Sequence, residues 1–449
     1  MRILFFILTT TAWLYSKEHF TKEMLENYLT QENPFVYNTK AQEYIYKGQE
    51  KYFEGAFDTQ LLMKYEKKRY PATEGDFSTI QIQKPLENGI EFFGGYRQAT
   101  GVQEYNNIKT GENGEVLLGM KLPVSAFING MNKRKLQFDS AKLNTQKQTF
   151  QSQDNLRLLR FEIFSAYYKA LHSKALFIMQ KELLEVAKQR QKIIEKRVTA
   201  GSLPEITLLE VNQQIVNREQ RLIAAKNNFE NRLEQFLQYL LLAKEEFDKY
   251  YILPPLPEVK PNTLTIEEAF SMALNFRADL KVFTYEVKKM DIQQQHARLL
   301  RYPNFNVGLY GVHDFKYNNG FKLSFDMSFP FQRRQYEGKS KEIIKKIQQV
   351  NNNKNIALIT MKTKITQIIH SLKNIFINIQ NSQKEIALVE KLQEAEIKKY
   401  MLGLSNLFMV NQRELLTLQT KKKLLNYILE YLLLEEMLHK EIGNNTTQQ

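Results

Sequence analysis

The chain has 449 residues, a formal net charge of +14 and no cysteine. Because cysteine is absent, disulfides, thiolate metal sites, a cysteine nucleophile and an anchor acylated at cysteine are all excluded. The positive charge would suit nucleic acid or an anionic surface, but Lys and Arg are scattered among Glu and Gln along the chain, which favours solvated helix faces over nucleic-acid binding.

The N-terminus begins with Met1 and Arg2 and continues as an apolar run from Ile3 to Leu14. This run is long enough for the hydrophobic region of a signal peptide and too short to span a bilayer. We therefore predict a signal peptide over residues 1–16 and export of the remaining chain. The sequence does not fix the cleavage site, and a buried N-terminal helix is the alternative interpretation.

The first half of the chain contains two strand-like segments on either side of a loop rich in Gly and Asn. They run from Ile90 to Tyr96 and from Val116 to Leu122. We predict that they pair as a β-hairpin. The second segment ends at Pro123, after which a polar stretch leads into a long helix.

Apolar residues then recur seven positions apart on both sides of Gly201. The pattern predicts two long helices joined at Gly201, whose left-handed conformation would end the first helix. Ser202 and Glu205 have the spacing of a capping box, and Pro204 suits the first turn of the second helix. Two adjacent apolar series after the glycine imply two neighbours for that helix. The positions are Leu156, Ile163, Ala170, Phe177 and Leu184 before the glycine, then Leu208, Ile215, Leu222, Phe229 and Phe236, flanked by Leu209, Val216, Ile223 and Leu237.

A proline-rich linker, residues 254–262, separates two halves that share one plan. Proline removes a backbone donor and fixes φ, so the linker is not expected to be helical. Residues 263–443 repeat the order of strands, apolar-Pro-apolar segment and helical hairpin found in residues 17–253, and residues 444–449 form a polar tail. We therefore predict a tandem repeat.

The second half contains strand-like segments from Asn304 to Val312 and from Phe321 to Phe329. In the latter, apolar and polar residues alternate strictly, as a transmembrane β-barrel strand of about 9–11 residues requires. Four strands cannot close such a barrel, and open edges are not tolerated in lipid, so we predict oligomerisation. The alternative, hairpins packed on a soluble core, lacks a matching apolar layer.

A second long helical hairpin turns at Gly403, with Ser405 or Asn406 as the expected N-cap. The long helices, residues 138–201 and 336–403, would each extend on the order of 100 Å at about 1.5 Å per residue. Their seven-residue period indicates left-handed supercoiling. A cytoplasmic coiled coil would explain this period but not the strands. The apolar series is Leu358, Ile365, Leu372, Ile379 and Ile386, beside Met361, Ile368, Ile375 and Val389.

The sequence predicts no catalytic site, metal site or cofactor. Its six histidines are dispersed, without a close pair. Glu436 and His439 form a single Glu-x-x-His, whereas a di-iron bundle needs two such motifs. We interpret this one as a coincidence on a surface face, and the missing second motif argues against a di-iron enzyme.

The order of these parts resembles the outer-membrane efflux proteins of the TolC type. The resemblance covers nearly the whole mature chain: the opening Leu264-Thr265-Ile266-Glu267, the Tyr302-Pro303 pair before the strands, and both apolar-Pro-apolar segments and glycine turns. It implies a mainly helical fold with a β-barrel portion, in which a homotrimer forms a twelve-stranded barrel in the outer-membrane lipid, with four strands per chain. A twelve-helix tunnel would continue from that barrel through the periplasm.

The resemblance also implies partners and site residues. Family members are exit ducts for drugs, metal ions or proteins, docked to a periplasmic adaptor and an inner-membrane pump. The two helix turns, Gly201-Ser202-Leu203 and Gly403-Leu404-Ser405, are the expected docking surface, with Leu203 and Leu404 exposed. The best-known member has aspartates six and nine residues after the second glycine, where this chain has Met409 and Gln412. Asn411 and Gln412 would therefore line a polar rather than an acidic constriction.

The sequence thus predicts a trimeric outer-membrane channel that serves as the passive exit duct of a tripartite efflux or secretion system. A periplasmic adaptor or a secreted coiled-coil structural protein without a pore is the alternative. An adaptor should have one helical hairpin interrupting a β-domain, whereas this sequence predicts two hairpins, each preceded by strands.

Overall fold

A computed structural model of the chain describes residues 17–70, 73–102 and 113–443. The predicted signal peptide and the polar tail therefore lie outside the described residues. The chain divides into two compact units. The helical unit comprises Met1–Thr39, Asn155–Arg277 and Thr360–Gln449, and the sheet unit comprises Lys40–Asp154 and Ala278–Ile359. Each unit draws on both predicted halves of the chain, and the division into tandem repeats stays a prediction.

Helices make up most of the described chain. Two of them run for 67 and 68 residues, and their bounds lie within a few residues of the long helices that the seven-residue period predicts. None of the helices in the described ranges is long and apolar enough to cross a membrane. The helices are α1 Lys22–Tyr28, α2 Pro34–Glu54, α3 Val124–Asn129, α4 Lys133–Thr199, α5 Glu205–Leu240, α6 Lys244–Tyr250, α7 Ile266–Phe276, α8 Ala278–Leu299, α9 Arg334–Met401 and α10 Leu407–Ile442.

The strands form two sheets of very different size. In the helical unit, β1 Glu18–His19 pairs in parallel with β6 Tyr251–Ile252. In the sheet unit, an antiparallel sheet has the order β2-β3-β4-β5-β7-β8. Its strands are β2 Gln60–Tyr70, β3 Thr73–Pro85, β4 Glu91–Val102, β5 Glu115–Pro123, β7 Asn304–Asp314 and β8 Asn318–Ser328.

The predicted number of four strands per chain is wrong, because within the described residues this sheet has six. Both predicted hairpins are present, as β4–β5 and β7–β8, but β2 and β3 were missed. The physical reason is that their alternation is short: after Leu61, Met63 and Tyr65, the outer part of the hairpin carries charge on both faces. A run of three alternating apolar residues is a weak strand signal.

The core of the helical unit lies between the N-terminal segment and helices α4, α5 and α10. Phe20, Phe236 and Ile163 are completely buried there. The ring of Phe20 makes an edge contact with that of Phe236 at 5.7 Å between centroids. The hydroxyl of Tyr167 donates to the backbone oxygen of Phe20 at 3.0 Å. This core anchors the start of the described chain to the long helices.

The seven-residue series account for both buried and exposed helix faces. Ile365, Leu372 and Ile379 on α9 are buried, as the period predicts. On α5 one apolar series points into the unit. Of the adjacent series, Leu209, Val216 and Ile223 are exposed, whereas Leu237 is buried. The described chain therefore supplies only one of the two neighbours that the two series on α5 imply.

Candidate functional site

One face of the six-stranded sheet is mostly apolar and open to solvent, although Ser78 and Lys84 interrupt it on β3. Side chains directly opposite in antiparallel strands share a face, so the strand register shows which residues belong together. Met63 pairs with Ile80, Ile80 with Tyr96, and Tyr96 with Val116. We call this the apolar face. Its exposed members are Leu61, Met63, Tyr65, Ile80, Ile82, Phe92, Tyr96, Val116, Leu118, Met120, Leu309, Phe321, Leu323, Phe325 and Met327.

The opposite face carries charged and polar side chains, and we call it the polar face. Register pairs on it include Thr79 with Arg97, Arg97 with Glu115, and Tyr310 with Lys322. Arg97 and Glu115 form an ion pair, with Glu115 almost completely buried. One face of each strand thus suits hydrocarbon and the other suits water, as in a transmembrane barrel wall.

Glycines let aromatic rings lie across the polar face. The rings of Phe93 and Tyr310 lie 4.8 Å apart between centroids, on either side of Gly119 in the intervening strand. A β-carbon on Gly119 would approach both the Phe93 ring and the Leu309 carbonyl oxygen to 2.8 Å. A side chain at this position would therefore disturb both the ring packing and the strand.

The sheet has two unpaired edges within the described residues, β2 and β8. An edge strand presents a row of backbone donors and acceptors that must find partners. In lipid no water is available to satisfy them, so an open sheet cannot remain there as a single copy. The sheet thus combines an apolar face with two open edges.

The two helix turns end their helices in the same way. Gly201 has φ of 68° and Gly403 has φ of 77°, which confirms the predicted left-handed conformation. At the first turn, the Gly201 N–H donates to Val198 at 2.9 Å and the Ser202 N–H donates to Arg197 at 2.8 Å. These bonds form a Schellman motif.

The same pair of bonds closes the second turn. There the Gly403 N–H donates to Tyr400 at 3.1 Å and the Leu404 N–H donates to Lys399 at 2.9 Å. No atom outside the immediate chain neighbours lies within 4 Å of a β-carbon built on Gly201 or Gly403. The backbone conformation alone, rather than crowding, therefore favours glycine at both turns.

The start of the helix after the first turn differs from the prediction. No side chain caps α5, so the proposed capping box of Ser202 and Glu205 is wrong. The Ser202 hydroxyl instead donates to the Arg197 carbonyl oxygen at 2.8 Å, which uses it to close the preceding helix. Pro204 is the N-cap residue, with extended backbone, rather than a residue of the first helical turn.

The second turn has a capped helix. The Asn406 side chain accepts from the Met409 N–H at 3.0 Å, so Asn406, one of the two predicted candidates, is the N-cap. Ser405 instead donates its hydroxyl to Glu396 at 2.5 Å. The two predicted turn serines, Ser202 and Ser405, both bind back to the helix before the glycine.

An apolar cluster joins the two turns. Its buried members come from both helical hairpins: Leu184, Ala187, Ile194, Val211, Ile215 and Leu407. Leu203 packs partly against this cluster, so the prediction of an exposed Leu203 is wrong. Leu404 is 76% exposed, as predicted. Other exposed apolar side chains near the turns are Met401, Leu402, Ile206 and Phe408; with Leu404 they form what we call the turn patch.

A buried ion-pair cluster lies eleven residues beyond the second glycine. The carboxylate of Glu414, on α10, contacts Arg190 on α4 and Arg218 on α5, the latter at 2.6 Å. Arg218 also donates to the Leu183 carbonyl oxygen at 2.9 Å. Burial raises the pKa of Glu414, but the hydrogen bonds and charges of the two arginines outweigh it and hold the pKa below its ordinary value. This cluster ties three helices together and had no counterpart in the sequence prediction.

The two predicted constriction residues differ in environment. Asn411 is half-buried, and among the described atoms its Oδ1 is buried without a hydrogen-bond partner. Gln412 is exposed, and Met409 is exposed on the same helix. A single chain does not bring copies of these side chains together, so their role in a constriction stays a prediction.

The single Glu-x-x-His motif lies inside the helical unit rather than on a surface face. Glu436 is buried and accepts from Lys22 at 2.5 Å. In the part of the chain that the structure describes, no group of three or more acidic residues or histidines is placed to hold a metal ion. Glu436 therefore serves as an ion-pair partner for the N-terminal segment.

Comparisons with known proteins identify the fold. No family model matches the sequence, and no curated protein does either. Among solved structures, the outer membrane protein VceC from Vibrio cholerae has a TM-score of 0.71 and 14% identity, covering 94% of this chain and 96% of that one. CusC, which forms a transmembrane channel, has a TM-score of 0.69 and 13% identity, covering 96% of each chain.

The CmeC outer membrane channel of Campylobacter jejuni has a TM-score of 0.68 and 13% identity, covering 94% of this chain and 85% of that one. These likenesses extend over nearly the entire chain. They show that the chain has the fold of the outer-membrane channel proteins, which confirms, at the level of fold, the resemblance to the TolC type.

Proposed function

We propose that three copies of this chain form an outer-membrane channel that extends into the periplasm and serves as the passive exit duct of a tripartite efflux or secretion system. The observation that carries the proposal is the sheet: an apolar face across every strand, a polar face behind it, and two unpaired edges. Likeness of fold to outer-membrane channels supports the same function. The proposal assigns no catalytic step to the chain.

Exposed helix faces support assembly as well. Leu209, Val216 and Ile223 lie seven residues apart on α5 and are exposed. Such a series suits packing against another helix. In the assembly, helices of neighbouring copies cover these residues, and twelve long helices surround a tunnel. One set of contacts thus buries both the helix faces and the sheet edges.

The helix turns are the proposed docking surface for a periplasmic adaptor, which in turn contacts an inner-membrane pump. The turn patch supplies exposed apolar side chains, with Leu404 the most exposed of them. Its five members are far fewer than those of the apolar face of the sheet, which suits a small protein contact better than a lipid surface. Gly201, Ser202, Gly403 and Ser405 shape the backbone beneath the patch.

Asn411 and Gln412 are proposed to line a polar constriction of the tunnel. The buried Oδ1 of Asn411 has no partner among the described atoms, and a buried acceptor of this kind gains free energy when it finds a donor. A neighbouring copy supplies that donor in the assembly.

An adaptor or a coiled-coil structural protein is less well supported. Neither accounts for a sheet whose apolar side chains are exposed across six strands. In water such a surface would drive aggregation. The sheet therefore favours a membrane channel over both alternatives.

The proposal is tested by cell fractionation and by electrical recording. The chain should fractionate with the outer membrane and run on gels as a trimer that dissociates on heating, because its sheet edges are satisfied only in the assembly. The purified trimer should give stepwise single-channel currents in planar bilayers. Monomeric protein in the cytosol or periplasm would refute the proposal. A trimer that gives no single-channel currents would refute its role as a channel.

A further inference from the structure

We propose that the β2–β3 hairpin is part of the barrel wall, so that three copies close a barrel of eighteen strands through contacts between β2 of one copy and β8 of the next. This inference rests on the proposed trimeric channel and changes its dimensions. The resemblance to the TolC type implies four strands per chain and twelve in all.

The hairpin is joined to the rest of the sheet along its full length. β2 pairs with β3 from Gln60 opposite Gln83 to Tyr70 opposite Thr73. β3 then pairs with β4 from Glu74 opposite Val102 to Pro85 opposite Glu91. β3 is therefore hydrogen-bonded on both sides, and removing the hairpin from the wall would break the entire β3–β4 ladder.

The hairpin also shares the two-faced pattern of the other strands. Leu61, Met63 and Ile80 continue the apolar face. The exposed fractions of these three residues are 57%, 69% and 49%. Lys64, directly after Met63 in β2, lies on the polar face opposite Thr79. A hairpin folded over the outside of the sheet would cover the apolar face of the other strands. Its own exposed apolar side chains would then not be part of that face.

Charge marks where the hairpin would leave the hydrocarbon. Beyond Tyr65, ion pairs join Lys67 to Asp76 and Arg69 to Glu74, each at 3.7 Å. Charged side chains on the lipid side are tolerated near the interfaces and not at the midplane. On this face of β3, Ile80 and Ile82 lie between Asp76 and Lys84, so charged side chains bound the apolar part of the hairpin at both ends.

The directions of the two edge strands allow closure. Each neighbouring pair in the sheet is antiparallel, so with six strands β2 and β8 run in opposite directions. β2 of one copy can then pair antiparallel with β8 of the next, as in every other ladder of the sheet. Because barrel diameter grows roughly linearly with strand number, eighteen strands give a barrel about 1.5-fold wider than twelve and an open aqueous lumen.

Introduced cysteine pairs test which strands meet. The chain has no cysteine of its own, so any disulfide must join the two introduced residues. Lys64→Cys on β2 is combined in turn with Lys322→Cys, Ser324→Cys or Asp326→Cys on β8, all on the polar face. The three partners sample three neighbouring registers of Lys64 against β8. After mild oxidation of outer membranes, covalent trimers on a denaturing gel are expected for at least one pair.

The matched control replaces β2 with β4, the strand that would be the edge if the hairpin lay outside the wall. Phe93→Cys lies on the polar face of β4 and is combined with the same three β8 positions. No cross-link between copies is expected. Trimers cross-linked through β4 alone would overturn the eighteen-stranded barrel while leaving the proposed channel intact. Absence of both kinds of cross-link in a heat-labile trimer would overturn closure through the sheet edges.

A second measurement covers the case in which the cysteine variants fail to assemble. Single-particle imaging of the unsubstituted trimer in lipid nanodiscs should show eighteen strands in cross-section. Twelve strands would refute the eighteen-stranded barrel but leave the proposed channel intact. A particle without a closed barrel would refute both the eighteen-stranded barrel and the proposed channel.

Discussion

The sheet and the helix turns both expose apolar side chains, but in different arrangements. On the sheet they lie on one face and occur in all six described strands, with a polar face behind them. At the turns a few exposed side chains surround a packed cluster to which both helical hairpins contribute. A continuous apolar face matches lipid, whereas a small patch over a rigid turn matches a protein partner. We infer that the area and regularity of an exposed apolar surface, rather than exposure itself, indicate what covers that surface.

The largest expected effect on stability concerns the ion pairs of Glu414 with Arg190 and Arg218. Glu414→Leu leaves Arg190 and Arg218 without their shared partner. Removing one member of a buried ion pair costs about 3–5 kcal/mol, so the free energy of unfolding of the helical unit should fall by that order. The measurement is urea denaturation of the detergent-solubilised protein, followed by circular dichroism.

A surface pair provides the control for this prediction. Glu385 contacts Lys423 at 3.3 Å, but its side chain is 44% exposed, against 3% for Glu414. Exposed ion pairs contribute only about 0–1 kcal/mol, so Glu385→Leu should have little effect. If both variants unfolded at the same urea concentration, the cluster around Glu414 would not hold the turn end together.

The same cluster predicts a dependence on pH. The pKa of Glu414 is lowered in the folded chain, so the carboxylate stabilises the fold fully above its unfolded pKa, which is roughly 4.3. That stability is lost as the pH falls through the lower, folded pKa. Urea midpoints measured between pH 7 and pH 3 should therefore drop more in the natural protein than in Glu414→Leu. Parallel curves would contradict the prediction.

The next effect tests the sheet. Leu323→Arg places a charge on the apolar face, which costs about 2–4 kcal/mol near the bilayer midplane, whereas Ser324→Arg places it on the polar face at little cost. Leu323→Arg should therefore reduce the amount of heat-labile trimer in the outer membrane much more than Ser324→Arg. A greater loss with Ser324→Arg would reverse the assignment of the two faces.

Substitutions at the turns should cost no more stability than Leu323→Arg, although their effect on export should be large. Gly201→Val with Gly403→Val forces two β-branched residues into left-handed backbone, at about 1–2 kcal/mol each. Because this change affects the turn patch and not the sheet, export or resistance should be lost while trimer in the outer membrane persists.

Gly338→Val is the matched control, since Gly338 lies within α9, has open space around it and has no positive φ. Export should survive this substitution. Normal export by the double turn variant would remove the turns from the mechanism, and loss of trimer would show that they serve folding.

Periodic features were predictable from the sequence. The long helices follow from apolar residues every seven positions, and the alternation from Phe321 to Met327 predicts β8 and its faces. Gly201 and Gly403 were predictable as left-handed helix ends because few other residues tolerate that conformation. In each case the signal repeats locally, so a short stretch of chain is sufficient.

Features that depend on distant partners were missed. β2 and β3 have too few alternating apolar residues to identify them without the ladder to β4. Leu203 was predicted to be exposed because it packs against residues that are distant in the sequence. Such packing leaves no local signal. Glu414 did leave a signal, since it occupies a helix position between Val410 and Thr417, which are buried on the same face. A carboxylate within a buried stripe implies a cation from another element.

Fluorescence quenching measures whether the apolar face contacts lipid. A fluorophore is attached to Leu323→Cys or to Ser324→Cys in trimers reconstituted with brominated phospholipid, and quenching by lipid is compared with quenching by aqueous iodide. We expect brominated lipid to quench the label at 323 and iodide to quench the label at 324. Quenching of both labels by iodide alone would show that this face lies in water and would contradict contact between the apolar face and lipid.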